Sequence, residues 1–456
     1  MGDSLLSVGI DVGTSTTQLI VSRLTVENQA NAYSVPDLQI KEREILYRSP
    51  IHFTPLLSET TLDASGIEEI VANEYQSAHI VPEEIATGAI IITGETARKE
   101  NAKAVLEALE KFAGDFVVAT AGPDLESILA AKGAGADVYS ETSPLPVLHM
   151  DIGGGTSNQA LAEDGVITKT SCLNVGGRLI RMEHGTITYV SPVLSTLCTL
   201  HPGDMADPSK LEDVVSILVK ALESAAGLCS DPIPPSLITN RLFPLSGPVI
   251  VSFSGGVADL IETTPENLEL YGDIGPMLGR AIRRSKLCAG SYRLGAETIR
   301  ATVIGAGCHS TQLSGSTVYA RDMVFPLESL PVLCLTKEEQ EFPSEKLRDR
   351  IESLKTPWPD GPAAVFLPGF NSPSYDALEA LANRLANVLP VLPSPHVVVT
   401  GFDMAKALGY ALAPKLSGPL LCLDGLELTS ESFLDIAPPV AHGAAFPVVK
   451  KTLVLG

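Results

Sequence analysis

The chain is 456 residues long, carries a formal net charge of −22, and is 45% apolar with only 5% aromatic residues. That length holds roughly two to four domains with substantial cores, while the acidic balance excludes a nucleic acid or an anionic membrane as principal partner, because a phosphate-rich polymer would be repelled over most of the surface. No apolar run reaches the ~18–20 residues that span a bilayer, and no basic segment leads an apolar core at the start, so a soluble, cytosolic protein is expected.

The chain opens with 5-LLSVGIDVGTSTTQLIVSRL-24: an apolar strand running into Asp11, a turn of Gly13, Thr14, Ser15 and Thr16, and a returning strand. Residues 25–80 carry no chemistry that the sequence assigns, and 27–45 reads as an exposed segment. A strand over 86–95 leads to a helix over 96–112, in which Ala102, Val105, Leu106, Leu109 and Phe112 fall at helical spacing and Thr96 is the cap. Another strand, 116–123, precedes a short helix from Asp124.

The opening hairpin then recurs as 147-VLHMDIGGGTSNQALAEDGVI-167, with Asp151 ending the first strand and Gly153, Gly154, Gly155 and Thr156 forming the turn. Beyond it, 169–180 continues the strand pattern to a Gly-Gly turn before Arg178. Residues 209–229 form a strongly amphipathic helix, and Pro-rich 232–248 reads as a surface connection. The strand 249–254 meets Gly255 and Gly256 and opens a helix at 257–261, and 273–287 is a further helix with Gly275 and Gly279 available for close packing. From about residue 291 the pattern changes. The segment 299–307 reads as a strand ending in a glycine turn, and strands at 364–369, 396–401 and 419–425 alternate with helices at 374–389 and 403–412, the signature of an α/β layer with parallel strands. The charged stretch 337–355 reads as a solvated helix broken near Pro343.

Glycines let backbone N–H groups approach an anion, and Thr156 adds a hydroxyl donor. A carboxylate beside such a turn repels phosphate unless a divalent cation sits between them, so Asp11 and Asp151 point to a shared metal. The alternative is that each caps its own turn by an Asx-type bond; two equivalent acids beside two hydroxyl-rich turns are hard to obtain from capping alone. Thr14, Ser15, Thr16 and Thr156, with the amides near Gly13 and Gly153–Gly155, can hold phosphate oxygens or bond locally within their turns. Gly255 and Gly256, at a strand-to-helix turn, let a flat ligand lie against bare backbone near a helix N-terminus. For the residue that polarises an attacking water, Glu95 comes first and Asp124 second, each also readable as a solvated or capping acid. Arg178, Arg283 and Arg284 are candidates for phosphate or adenine contact or for plain surface charge. The eight histidines show no paired spacing, and neither His184 nor His309 earns a metal role. Seven scattered cysteines without a CxxC pair indicate reduced, mostly buried thiols rather than a disulfide frame or a zinc site.

The order hairpin, hairpin, Gly-Gly helix resembles the actin, sugar kinase and heat-shock 70 ATPase superfamily. In that resemblance 9-GIDVGTSTTQ-18 matches the first phosphate loop, 150-MDIGGGTSN-158 the second, 252-SFSGGVADL-260 the adenosine turn and 273-DIGPMLGRAI-282 the second connecting helix. Within the superfamily the chain is more closely similar to the ethanolamine ammonia-lyase reactivating proteins of EutA type. That similarity rests on residues 7–24, 93–102, the central hairpin, 298–307 and 440–456, and so extends over essentially the whole chain.

The resemblance implies an α/β, actin-like ATPase fold of two facing ribonuclease H-like halves. These are 1–145, a first half with insertions, and 146–290, a second half with the adenosine turn; an additional α/β region fills 291–456. It implies ATP and ADP as ligands, Mg²⁺ held largely through water by Asp11 and Asp151, and a slow ATPase whose cycle exchanges damaged cobalamin for adenosylcobalamin on ethanolamine ammonia-lyase. Cobalamin is reached indirectly, through that lyase, and the family implies association with a bacterial microcompartment. A small-molecule kinase and a filament-forming ATPase of the same superfamily are the alternatives.

Overall fold

The structure is a computed structural model that describes residues 3–28, 38–58, 61–93, 101–109, 112, 117–119, 123–239, 242–245, 247–263, 265–267, 270–315, 317–356, 361–426, 428, 432–440 and 443–452. The first sheet is built from β1 (Asp3–Val12), β2 (Thr16–Asn28), β3 (Leu38–Arg48), β5 (Ile85–Ile92) and β6 (Val117–Ala119), ordered β3-β2-β1-β5-β6, with the short β4 (His52–Phe53) paired to β2. β1 and β2 are antiparallel and place Asp11 opposite Gln18, whereas β5 runs parallel to β1. β-branched residues fill its interior: Val8, Ile10, Val12 and the run Ile90-Ile91-Ile92 are fully buried. On one face pack α1 (Ala64–Ala78), capped by the Asp63 side chain, and α2 (Ala102–Leu109), burying Ile67, Val71, Val105 and Leu106 against the sheet. Most of β3 falls within the segment 27–45 expected to be exposed; its residues are largely exposed, and the ladder to β2 is what orders it.

Next come α3 (Pro123–Gly133) and the short α4 (Ala136–Ser140), and then the second sheet: β7 (Val147–Ile152), β8 (Ser157–Glu163), β9 (Val166–Leu173), β12 (Ile250–Ser254) and β13 (Tyr292–Leu294). Its order, β9-β8-β7-β12-β13, repeats the first sheet strand for strand, two antiparallel pairs followed by two parallel ones. Asp151 again lies opposite an amide, Asn158. Between β9 and β12 the chain makes a separate hairpin, β10 (Ile180–Glu183) with β11 (Thr186–Val190), and then α5 (Pro208–Ala225). The helices α6 (Asp259–Glu262) and α7 (Gly275–Arg284) follow β12, and the core of this half joins Leu211, Val214, Leu218 and Leu222 of α5 to Phe253, Leu278 and Ile282. The duplicated sheet is the actin-like ATPase fold that the motif order implied. It runs past residue 290, where the sequence pattern placed the start of the C-terminal region, because β13 pairs with β12.

Two expectations are corrected here. The segment 299–307 is not a strand; residues 301–309 form α8 (Ala301–His309). Every residue from Ala301 to Cys308 is buried, so the segment has no solvent-facing stripe to reveal a helical period. Nor is 273–282 the connecting helix, since α7 packs within the second half against α5 and α6. The helix between the sheets is α8, against β1 of the first sheet, crossing α3, which lies against β8 and β9 of the second. Glycine makes the crossing possible: a Cβ at Gly133 would lie 1.9 Å from Ala301 O, one at Gly305 2.0 Å from Leu129 O, and one at Gly9 2.4 Å from Val303 O.

A third sheet completes the chain, from β14 (Thr311–Leu313), β15 (Tyr319–Arg321), β16 (Leu327–Cys334), β17 (Ala364–Leu367), β18 (His396–Thr400), β19 (Leu420–Asp424), β20 (Ser432–Ile436) and β21 (Pro447–Thr452), ordered β14-β21-β20-β16-β17-β18-β19-β15. The four central strands β16 to β19 are parallel and are linked by α9 (Ser344–Lys355), α10 (Tyr375–Val388) and α11 (Ala405–Leu412), which cover one face. The break near Pro343 is there, between a helical turn at Glu339–Glu341 and α9, but α9 buries Leu347 and Ile351, so the charged stretch is solvated on one side only. The antiparallel flanks were absent from the pattern reading. A small cluster of Ala89, Ile91, Leu129, Ala306, Ala437 and Val449 joins this sheet to the first half and the α3–α8 layer. All seven cysteines are free thiols, four of them buried. Among the described residues no helix is long and apolar enough to cross a membrane.

Candidate functional site

Each hairpin turn closes in the same way. Gly13 N donates to Thr16 O at 2.8 Å, and Gly153 N to Thr156 O at 2.9 Å. Each is then buttressed from outside. Thr54 donates from its hydroxyl to Gly13 O at 2.8 Å and from its amide to Ser15 O at 3.1 Å, while Gly177 N and Arg178 N donate to Gly153 O and Gly154 O at 3.0 and 2.7 Å. The two turns meet across the cleft: a Cβ on Gly154 would fall 2.7 Å from Ser15 Oγ. Between them lies a cavity of about 120 Å³ lined by Asp11, Gly13, Thr14, Ser15, Thr16, Asp151, Gly153, Gly154, Gly155, Thr156, Gly255 and Gly256. Residues separated by more than a hundred positions in the chain are therefore gathered in one chamber.

Asp11 and Asp151 are 8% and 7% exposed, so ionising both without a cation is costly. Burial pushes Asp11 up to about 7, with the negative charge of Asp151 adding to the rise and a hydrogen bond from Thr93 Oγ1 at 3.1 Å opposing it. Burial pushes Asp151 up to about 6, opposed by hydroxyl donation from Ser254 and, at 3.4 Å, from Thr302 on α8. Behind Ser254 stands His149, fully buried, whose Nε2 lies 2.8 Å from Ser254 Oγ and whose Nδ1 lies 3.1 Å from Ser252 Oγ. Burial lowers His149 to about 3, so it is neutral. Because the Ser254 proton goes to Asp151, Nε2 must carry the imidazole hydrogen and Nδ1 must accept from Ser252.

The strand opposite each acid contributes an amide. Gln18 donates through Nε2 to Ile299 O at 3.2 Å and leaves its buried Oε1 without a partner, and the buried Asn158 Oδ1 is likewise unpartnered. Both residues line the chamber. Two carboxylates and two orphaned carbonyl oxygens form an all-oxygen set of the type a hard divalent cation takes while keeping much of its water. The chamber therefore fits Mg²⁺.

One of the two candidate acids for water activation lies away from the chamber. Asp124 is exposed and accepts from Thr170 Oγ1 at 2.6 Å, outside the chamber; Glu95 lies outside the described residues. Glu126, two positions further along α3, is 7% exposed and lines the chamber. Two residues is about 200° around a helix, so Asp124 and Glu126 necessarily face opposite ways. The signal was present: Glu126, Leu129, Ala130 and Gly133 form one buried stripe with an acid at its head.

A second cavity of about 430 Å³ opens from the first, sharing Ser15, Thr16, Gly153, Gly154, Gly256 and Ile299. Its far wall is apolar, from Val257, Leu260, Leu270 and Tyr271, with Arg178 and Asp273 beside them. Gly255 has φ +85° and a Cβ there would lie 2.4 Å from Ile152 O, so this turn demands glycine, and the next residue, Gly256, presents bare backbone to both cavities. Arg283 and Arg284 lie away from it. Arg283 stacks over Tyr292, 5.5 Å from the ring centroid, and Arg284 lines a separate groove between α5 and α7. His184 is exposed at φ +51°, and burial lowers His309 to about 3.

The family model described as "Ethanolamine utilisation protein EutA" matches residues 3–456. The chain belongs to the EutA family. The ethanolamine ammonia-lyase reactivase EutA of Escherichia coli (strain K12) is 37% identical over 460 residues, covering 98% of each chain. The protein of the same name from Salmonella typhimurium (strain LT2) is 36% identical over 464 residues, again covering 98% of each. Among solved structures, an Aquifex aeolicus member of the Ppx/GppA protein family matches with a TM-score of 0.41 and 13% identity, covering 66% of this chain and 97% of its own. EutJ from Carboxydothermus hydrogenoformans matches with a TM-score of 0.34 and 17% identity, covering 66% of this chain and 89% of its own.

Proposed function

We propose that this EutA-family chain is an ATP-dependent reactivase of ethanolamine ammonia-lyase, using ATP binding and hydrolysis to exchange damaged cobalamin on the lyase for adenosylcobalamin. The observation that carries the reading is the meeting of two hydroxyl- and glycine-rich turns over a pair of buried carboxylates, one from each half. The amides of Gly13 and Gly153–Gly155 and the hydroxyls of Thr14, Ser15, Thr16 and Thr156 hold the phosphates, and the adjoining cavity takes the nucleoside. Asp11 and Asp151 would hold Mg²⁺, with the unpartnered Gln18 Oε1 and Asn158 Oδ1 as further oxygen acceptors beside it. The ion, when bound, neutralises charge on the β- and γ-phosphates. Glu126 orients the attacking water in line with the γ-phosphate; positioning and charge neutralisation do most of the catalysis, since the protein has little covalent work to perform.

ATP and ADP have different affinities for the closed and open dispositions of the halves, and that difference is what drives work on the lyase. The α3–α8 crossing, glycine-packed and touching both sheets, is the element that registers the change. The test is to mix cyanocobalamin-blocked ethanolamine ammonia-lyase with this protein, ATP, Mg²⁺ and adenosylcobalamin. Recovery of ammonia release that needs every component supports the assignment; recovery equal without ATP, or none with all components present, rejects it.

A further inference from the structure

In the second cavity one wall comes from an unexpected source. Phe53 belongs to the first half, lies in a segment with no chemistry evident in its sequence, and yet lines the cavity whose other walls are mostly second-half residues. Its ring is 80% exposed, and facing it Leu270 and Tyr271 are 56% and 57% exposed. Large apolar side chains left open to water on both sides of one cavity are an informative exception to ordinary burial.

The placement of Phe53 is fixed. β4 pairs with β2 in the register Thr16↔Phe53 and Thr17↔His52. On one side of Phe53, His52 Nε2 lies 2.8 Å from the buried Glu74, which also accepts from Tyr47 at 2.6 Å. On the other side, Thr54 bonds to Gly13 O, Ser15 O and the Thr17 hydroxyl. Strand alternation turns the neighbours of Phe53 inward and Phe53 itself outward. Its backbone is thus tied to the first turn, so that the ring travels with that turn.

We propose that Phe53 is a nucleobase-binding residue supplied by the first half: the base lies between its ring and the bare Gly256 backbone of the second half. This rests on the nucleotide reading above and deepens it. A flat heteroaromatic ring is the ligand class that fits, because it covers the exposed ring, stacks on it, and needs no hydrogen-bond partner from that side. Bridging makes closure of the halves depend on the base as well as on the phosphates. ATP joins the halves through both ends, whereas inorganic tripolyphosphate joins them only at the turns.

The test is calorimetric titration of the full-length protein with Mg·ATP and, separately, with Mg·tripolyphosphate, for the natural chain, Phe53→Ala and Phe53→Tyr. Phe53→Ala is expected to weaken Mg·ATP by about tenfold, within the range for losing one base–aromatic stack, to leave Mg·tripolyphosphate unchanged, and to be rescued by Phe53→Tyr. Because the ring is exposed, the substitution leaves the core intact. Equal Mg·ATP affinity in the natural chain and Phe53→Ala overturns the assignment while leaving the nucleotide reading standing. An equal loss for both ligands also overturns it, since Phe53 would then act through the phosphate turn. A natural chain that binds no Mg·ATP overturns both.

Discussion

The two hairpins are built to one plan and wired differently. In each, an acid ends the first strand, an amide faces it on the second, and a glycine amide closes the turn onto a threonine carbonyl. The difference lies in the parallel strand next door. In the first half Asp11 sits in register with Ile91, inside a fully buried Ile-Ile-Ile run, and receives one hydroxyl, from Thr93 just past the strand. In the second half Asp151 sits in register with Ser254, two residues beyond Ser252, and both serines hold His149. Duplication of a frame therefore does not duplicate chemistry. The neighbouring strand gives Asp151 a hydroxyl backed by a histidine and leaves Asp11 against an apolar wall, while burial raises both carboxyls, Asp11 to about 7 and Asp151 to about 6.

The most severe way to break this comparison is to remove each charge. Asp11→Asn and Asp151→Asn are each expected to lower Mg²⁺-dependent ATP turnover by about a hundredfold or more, the scale of losing a preorganised electrostatic contact, with folded far-ultraviolet circular dichroism. Unchanged turnover in both would remove the metal assignment. Glu126→Gln, read by single-turnover phosphate release, is expected to slow the chemical step by about a hundredfold with little change in ATP affinity; a purely structural glutamate would alter affinity and rate together. The frame that brings the halves together is tested by Gly133→Ala. Its new methyl has nowhere to go but into the Ala301 carbonyl, and a loss of about 2 kcal/mol in urea unfolding is expected.

A comparison of this kind was partly legible in the sequence. Acid, glycine and hydroxyl in one tight turn are local features, so Asp11, Asp151 and their turns were found without knowing what lay near them. What failed was whatever depended on a neighbour. The helix α8 was read as a strand because it is buried on every side, and the glycines that read as a turn are there to let α3 and β1 approach. On α3 the sequence offers Asp124, whereas Glu126 is the acid that lines the chamber, because only the docking of α3 says which of its faces meets it. Phe53 was invisible for the same reason: its place at the cavity comes from a two-residue strand whose pairing beside the first turn no periodicity announces.

Titration sharpens the asymmetry further. Both carboxyls take up protons more readily in the folded chain than at the ordinary 3.8, so the folded state holds more protons between about pH 4 and pH 7. Their contribution to stability is therefore full below about pH 4 and is lost as pH rises through 6 and 7. A bound divalent cation offsets that loss only when the acids are ionised, so Mg²⁺ is expected to raise the melting temperature at pH 8 and scarcely at pH 5.5.

The smallest and most discriminating change is Ser254→Ala. It removes the hydroxyl that lowers Asp151 and leaves His149 Nε2–H without its acceptor. The midpoint of the Mg²⁺-dependent stabilisation should move to higher pH, and turnover at pH 7 should fall by about tenfold, the cost of an unsatisfied buried donor and a less fixed carboxylate. Thr93→Ala should shift the same midpoint without any effect through His149, because no histidine stands behind Asp11. Melting curves across pH for the two variants check this directly. Equal turnover losses in both would mean that the serine–histidine chain behind Asp151 does no more than a single threonine, and that the two halves differ in sequence but not in function.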